Sequence, residues 1–384
     1  SASNRKTFTI SAWVKRANLV SASNRIFSAS SHSGLACIFG FQSDNTFLVL
    51  DESISYQLTT TQVFRDVSSW YHFVIAIDTT QSTANDRLKM YVNGNQITSF
   101  STQTNPSQNA DSFVNSNCKH TIGSRTQSGG DSEYFDGYIA EFNFIDGQQL
   151  TPTSFGEFDE DSGIWKPIRY SGSYGTNGFK LNFSDSGSLG ADQSGNGNNF
   201  TPTNLASTDQ TTDTPTNNFS SFNVLDTGGG TFSEGNTKIV GASSHNASRS
   251  TFAINTGKWY WEIKCTNNSS SPAFGIMKTE AKIADQLNAV GSRFYRTDGN
   301  KYTDGTSSSY GATFTTGDII GHALDMDSGT LTFYKNGTSQ GTAFTGLTGS
   351  TWSPCVKYYA DTVEANFGNP VHSISSGNTD DNGY

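Results

Sequence analysis

The sequence predicts an all-β protein folded as two β-sandwich domains in one chain. Three observations carry that expectation. Charged residues make up only 15% and aromatic residues 12% of the 384, with 38 Gly, a mixture that favours strands and tight turns over helices. Apolar residues alternate at period two in segment after segment, the spacing that turns successive side chains to opposite faces of a sheet. Residues 88–94, LKMYVNG, also share the form of residues 331–337, LTFYKNG. In both, an apolar–aromatic strand runs into Asn-Gly, the dipeptide that supplies the two φ > 0 positions of a type I′ hairpin turn. Length agrees, since a single core rarely grows past roughly 250–300 residues.

The first predicted domain is 1–155. Phe8, Ile10, Ala12 and Val14 alternate with Thr9, Ser11, Trp13 and Lys15. Further strands are expected at 25–27, 35–41 and 46–50, parted by Ser-, Gly- and Asn-rich turns. Residues 70–78, WYHFVIAID, are apolar on both faces, as a strand in the middle of a layered core should be. Residues 134–146 read as a long strand with aromatics on both faces.

Residues 156–225 change in texture and read as a bridge. A short strand is expected at 179–183, a turn-dense loop at 192–199, and a linker at 201–221, which is rich in Thr, Asn and Pro. Trp165, Tyr170, Tyr174 and Phe179 are too aromatic for a free tether, so this half should pack against a neighbour. Residues 226–375 return to strands: 257–265, GKWYWEIKC, with Trp259, Trp261 and Ile263 on one face; 273–277; 341–344; 352–356; 363–367. Between them, 317–337, GDIIGHALDMDSGTLTFYKNG, fits two strands and two turns. Residues 376–384 are left as a tail.

The phrases FTISAWVKR, SWYHFVIAID, LKMYVNGNQI, HTIGS at 120–124 and FDGYIAEFNFIDGQQLTP occur in this order. The first domain thereby resembles the laminin-G-like, concanavalin-type jelly roll. That family has one more strand ahead of the first seen here. The resemblance therefore implies either an open sheet edge, fillable by a strand from a neighbouring copy, or a protein that continues beyond Ser1, which the intact mass would reveal. GKWYWEIK, AFGI, GDIIGHALDMDSGTLTFYKNG, QGTAF and WSPCV run in the order of the SPRY domain, a compact β-sandwich used for recognition, and the second domain resembles it. The expected architecture is two jelly-roll-like sandwiches joined by a partly ordered bridge.

This domain order, with the linking phrases FIDGQQLTPTSFGE, GIWKPIRYSGSYGTNGFKLNFSD and ADQSGNGNNFT, resembles virion structural proteins of tailed phages, particularly those of marine cyanobacteria. The resemblance implies a non-enzymatic fibre, appendage or capsid-decoration protein on the virion exterior. Its partners would be other copies of itself, other virion proteins and host-surface polysaccharide. Two alternatives stay open: a secreted bacterial lectin or adhesin, and a polysaccharide depolymerase.

Charge and motifs narrow the chemistry. The net charge is −10 and no Lys/Arg cluster could track phosphates, so nucleic acid is not an expected partner. No apolar run reaches the length of a membrane span, so no membrane insertion is expected. Cys37, Cys118, Cys265 and Cys355 form no CxxC pair; they permit one disulfide per domain or four free thiols. The six histidines fit no metal spacing and no GxSxG elbow occurs. Glycosidases need two carboxyl groups flanking one bond. Glu133, Asp136 and Glu141 are the nearest approach, with Glu141 on a strand interior the best single candidate, and the resemblance accounts for Glu141 without catalysis, as a strand residue with a structural partner. No enzyme is expected.

Two candidate sites remain. Asp192, Ser194, Asn196 and Asn198 place oxygen atoms at every second position of a Gly-punctuated loop, the spacing calcium loops use, although no Glu closes the loop. Asn-Gly turn chemistry explains the same residues without a metal. Tyr295, Tyr302, Tyr310 and Trp352 fall in or beside the loops of the second domain, where aromatic faces would hold a sugar; the competing reading is that they complete the core.

Overall fold

The computed structural model describes residues 4–19, 22–31, 35–127 and 129–368. The tail expected at 376–384 lies outside them, as do His32 and His372. The chain divides into two compact units, Ser1–Asn218 and Phe219–Tyr384.

Among the described residues the first unit contains two six-stranded antiparallel sheets. One runs Phe179–Leu181, Gly137–Asp146, Thr7–Arg16, Tyr71–Asp78, Leu88–Val92, Asn95–Gln96; the other runs Lys119–Ile122, Asn24–Ser30, Ala36–Phe41, Thr46–Asp51, Tyr56–Val63, Phe100–Thr104. The period-two pattern puts Phe8, Ile10, Ala12 and Val14 into the core between the sheets. Phe73 of the first sheet stacks on Phe47 of the second, ring centroids 4.0 Å apart. Each such buried side chain contributes roughly 1.5–3 kcal/mol.

The other face of the first sheet is covered as well, which is why 70–78 is apolar on both sides. Val74 and Ala76 pack with Tyr91, Ile145 and Phe155, under Leu150, Tyr170 and Tyr174. Trp13, Trp70 and Trp165 form a second patch. The stretch expected as a bridge is therefore built into the first unit as far as Asn218. Its Phe179–Leu181 extends the sheet by pairing with Phe142 to Phe144, while Thr7–Arg16 is paired on both sides. The Thr/Asn/Pro-rich segment is pinned at Asp213. One carboxylate oxygen accepts Lys15 Nζ at 2.8 Å and the other accepts Trp70 Nε1 at 2.9 Å; Lys15 Nζ also donates to Asn218 Oδ1 at 2.7 Å.

Among its described residues the second unit holds two seven-stranded sheets. One runs Phe222–Thr227, Asn246–Ser250, Trp352–Tyr358, Ala273–Lys278, Ser292–Arg296, Asn300–Thr303, Thr306–Ser309; the other runs Thr231–Ser233, Lys238–Val240, Thr362–Asn366, Lys258–Asn267, Ile319–Asp325, Thr330–Lys335, Thr338–Phe344. Trp261, Ile263, Phe274, Ile276, Tyr295 and Phe333 lie in the core between them. Trp259, read onto the face of Trp261, is 44% exposed, because it lies at the strand end beyond the core.

The two Asn-Gly hairpins are type I′, with φ of 45° and 82° at Asn93 and Gly94 and of 48° and 79° at Asn336 and Gly337. Each asparagine also docks on the adjoining strand. Asn93 N–H donates to His72 O at 2.9 Å and Asn93 Oδ1 accepts His72 N–H at 2.8 Å. Asn336 makes the same exchange with Ile319, at 2.8 Å each way. Asn-Gly thus sets the turn and extends the ladder. Asp325 and Asp327 serve the preceding turn: Asp325 Oδ1 accepts the Asp327 and Ser328 N–H groups, and Asp327 Oδ1 accepts Gly257 N–H.

Gly94 carries a second constraint, since a Cβ there would lie 2.7 Å from the Trp165 ring. Gly94→Ala therefore combines left-handed backbone strain with overpacking, and should destabilise the first unit by about 2 kcal/mol or more. Urea unfolding followed by tryptophan fluorescence checks this; an unshifted midpoint would show that Trp165 is not seated there.

All four cysteines are free thiols. Burial pushes Cys265 and Cys355 up to about 12 and Cys37 well above its ordinary range, so they act as packing groups.

Candidate functional site

Strand alternation builds a cleft on the outer face of the second unit. On Trp352–Tyr358 the core takes Trp352, Val356 and Tyr358, which turns Cys355 and Lys357 to the opposite face. Lys357 is flanked in register by Ala247 on one neighbouring strand and Ala273 on the other, and Ala273 is in turn the partner of Arg296. Two cations thus stand on either side of the Ala273 methyl group. The 3₁₀ segment Ile283–Asn288 crosses beside them, its Leu287 and Ile283 packed against Ala247, Ala273 and Phe294. Gln286 Nε2 ties it to His245 O at 2.7 Å.

The result is an open cleft of about 550 Å³, lined by His245, Asp285, Gln286, Asn288, Arg296, Tyr302 and Lys357 among others. Arg296 Nη1 donates to Tyr302 Oη at 2.9 Å and lies 3.6 Å from Asp298 Oδ2. Its Nε is buried and has no hydrogen-bond partner among the described residues. Lys357 is 4% exposed. Burial lowers its ammonium from the ordinary lysine range, Asp361 pulling it back up and Arg296 pushing it further down.

The first unit has a cleft of different chemistry, about 310 Å³, lined by Asn115, Asn117, Asn177, Asn198 and Asn199 with Phe27, Phe144, Phe179, Phe200 and His120 among others. Asn115 is held rigidly, its Nδ2 donating to Asn4 O and Asp146 Oδ1 at 2.9 Å each. His120 has Nδ1 2.9 Å from Cys118 O, and its Nε2 accepts Asn115 N–H at 3.2 Å. That network assigns the neutral ring with its proton on Nδ1, in keeping with the burial that lowers the His120 pKa.

The four aromatics expected to bind a sugar do not converge. Tyr295 and Trp352 are 0% and 1% exposed. Their polar atoms are used internally, Tyr295 Oη on Ala312 O and Trp352 Nε1 on Leu347 O. They complete the core and offer no face to a ligand, which corrects their assignment. Tyr310 is half-buried, its hydroxyl donating to Gly341 O and accepting Phe333 N–H. Tyr302 alone of the four lines a cleft.

The loop expected to bind calcium is closed by protein donors instead. Asp192 Oδ1 accepts Lys180 N–H and Ser194 N–H, and Oδ2 accepts Ser194 Oγ and Asn198 N–H. All four lone-pair sites of the carboxylate are taken. Burial opposes ionisation of Asp192, but these bonds outweigh it and lower its pKa. Asn196 and Asn198 both turn their Nδ2 onto Gly178 O. The residues do not fit a cation, and Asn198 contributes to the asparagine-lined cleft instead. Glu141 is ion-paired to Lys180 at 2.7 Å.

Sequence reasoning missed Lys357, Arg296, Asn115, Asn117 and Asn177. A signal existed for Lys357, a lone cation inside the apolar run WSPCVKYY. None existed for the asparagines, which are common throughout the chain.

Folds and clefts together define a protein of paired β-sandwich recognition modules. Residues 1–154 match the concanavalin A-like lectin/glucanases superfamily, and residues 258–370 match the SPRY domain. The chain therefore carries a concanavalin-like domain followed by a SPRY domain. Ran-binding protein 9 of Xenopus laevis is 33% identical over 138 residues, covering 33% of this chain and 25% of that protein. The Homo sapiens protein of the same name is 31% identical over 118 residues, covering 29% of this chain and 16% of that protein. The chain thus spans a quarter or less of these relatives. Among solved structures, the SPRY domain of human HERC1 is 21% identical with a TM-score of 0.34, covering 38% of this chain and 98% of that one. No described helix is long and apolar enough to cross a membrane.

Proposed function

We propose that this chain is a non-enzymatic attachment protein of a virion exterior, a fibre, appendage or decoration component that holds host-surface glycan. The observation carrying the proposal is the asparagine-lined cleft of the first unit. Side-chain amides both donate and accept, which suits the mixed hydroxyls of a sugar, and phenylalanine rings beside them suit its apolar C–H face. The match of this unit to a lectin-containing superfamily supports the same reading. None of the residues lining this cleft is acidic, whereas glycoside hydrolysis needs paired carboxyl groups, so recognition is favoured over cleavage. The virion setting is supported by the domain order and linking phrases. SPRY domains mediate protein–protein interactions, which makes the second unit the natural contact for other virion proteins.

Asn117 is the side chain to test, because it is exposed and lines the cleft. Asn117→Ala should weaken binding of a neutral host glycan about fivefold or more without moving the thermal midpoint, read by glycan array and titration calorimetry. No binding to any host sugar would turn the reading to virion protein contacts alone. New reducing ends on host polysaccharide would replace it with depolymerisation.

A further inference from the structure

The cleft of the second unit points to a separate ligand, and we propose that it is a carboxylate site for an acidic sugar residue, with Lys357 and Arg296 holding the carboxylate. Lys357 is 4% exposed, yet no described acidic side chain of the unit forms an ion pair with it. Buried charges in proteins are ordinarily paired, because an uncompensated one costs several kcal/mol. A ligand anion supplies the missing partner. Arg296 lines the same cleft as Lys357, its guanidinium held in place by Nη1 on Tyr302 Oη at 2.9 Å. Ala273 alone stands in register between the two cations, so two long side chains from strands one apart face the same cleft.

Charge selects the anion. With Asp298 3.6 Å from Arg296, Asp361 acting on Lys357 from beyond ion-pair distance and Asp285 on the cleft wall, the two cations are already partly offset, so one negative charge is the most the site takes. A carboxylate fits better than a phosphate monoester near −2. Size selects what carries it. About 550 Å³ falls in the ~300–1,000 Å³ range of sites for small organic ligands, more than a lone acidic side chain fills. The half-buried Tyr302 and the exposed Asn288 line the same cleft, an aromatic wall and an amide for a sugar ring, and the exposed Asp285 can accept only from the ring's hydroxyls. The sugar identity rests on the glycan reading above; the place and sign of the site do not.

Titration calorimetry on the full chain tests this with an oligoglucuronate and the same oligomer carboxyl-reduced to a neutral sugar. The acidic form should bind roughly ten- to a hundredfold more tightly, the range of a charge-assisted hydrogen bond, and its affinity should fall as NaCl is raised. Lys357→Met keeps the buried stem and removes the charge. It should abolish that preference and leave Asn117-dependent binding of neutral glycan intact. Equal affinity for the two forms, salt-independent binding, or an unchanged Lys357→Met variant would overturn the proposal, and the salt series needs no variant to fold. If a glutamate-rich peptide binds in a Lys357-dependent way and the oligoglucuronate does not, the sugar assignment falls. If neutral glycan binds and the acid adds nothing, this site falls while the attachment reading stands; if no glycan binds at all, both fall.

Discussion

Asp213→Ala is expected to cost the first unit about 3–5 kcal/mol, the range for removing one partner of a buried ion pair. Lys15 and Asp213 are 1% and 4% exposed and 2.8 Å apart. Without the carboxylate, the Lys15 ammonium keeps Asn218 Oδ1 but loses its counter-charge, and Trp70 Nε1 loses the oxygen it bonds at 2.9 Å. The consequence extends beyond the pair. Asp213 pins the last part of the segment lying on the outer face of the first sheet, so its loss should also open that segment to protease. The double variant Lys15→Met/Asp213→Leu removes the unpaired charge and should recover part of the lost stability, the rest staying with Trp70 Nε1 and Asn218 Oδ1, which it leaves without these partners. Urea denaturation with tryptophan fluorescence reads the first effect and limited proteolysis the second. A loss below about 1 kcal/mol would show that the pair is solvated and the segment loosely held.

Residue 213 also marks where the sequence stops being legible. Hairpins, alternation and the double-faced strand at 70–78 are local patterns, so both sandwiches could be read from neighbouring residues. The 201–221 stretch has few apolar residues, and composition alone makes it a linker. What orders it is a contact between residues 198 apart in the chain, and no local pattern encodes that. The candidate sites failed for a related reason. Oxygen ligands at alternate positions look the same whether they meet a cation or the loop's own N–H groups, and Asp192 meets the latter. Tyr295 and Trp352 lie on strands whose other face is also partly covered, so aromatic character near a loop did not separate core from surface. Tyr302 differs from them only in that its strand borders a cleft. The placing of Lys357 and Arg296 on either side of Ala273 appears only once three strands are set side by side.

His72→Phe and His322→Phe should have opposite effects, although both rings occupy the same kind of place. Each is the register partner of a tryptophan, Trp13 or Trp261, and stacks on it with centroids 4.7 and 4.8 Å apart. His72 is fully used. The Trp165 indole can only donate, so His72 Nδ1 accepts it at 2.9 Å, and Nε2–H then donates to Ser11 Oγ at 2.8 Å. His322 has no well-formed hydrogen bond at either nitrogen among the described residues, and the nearby backbone at Trp261 and Ile320 favours its charged form less than burial opposes it. Phenylalanine at 72 orphans two buried groups and should cost about 2–4 kcal/mol. At 322 it keeps the stack, leaves nothing unpaired, and should hold or raise stability at neutral pH.

Acid separates them further. Burial pushes both rings down to about 3, so below the unfolded value near 6.5 the unfolded chain binds a proton that the folded chain refuses. Stability is therefore complete above about pH 6.5 and falls with pH by about 1.4 kcal/mol per unit for each ring until the folded value is reached. The carboxylates held low, Asp192, Asp304 and Asp318 among them, take effect only below 3.8; in the first unit Asp136, raised by burial, takes up a proton above that value and partly opposes the histidine slope. His120, also pushed down by burial, adds to the first unit, so His72→Phe should retain part of its slope. His322→Phe should remove the slope of the second unit. Urea midpoints measured from about pH 4 to about pH 6.5 decide: a His322→Phe variant that loses stability with acid as steeply as the parent would show that the ring is already protonated in the folded protein.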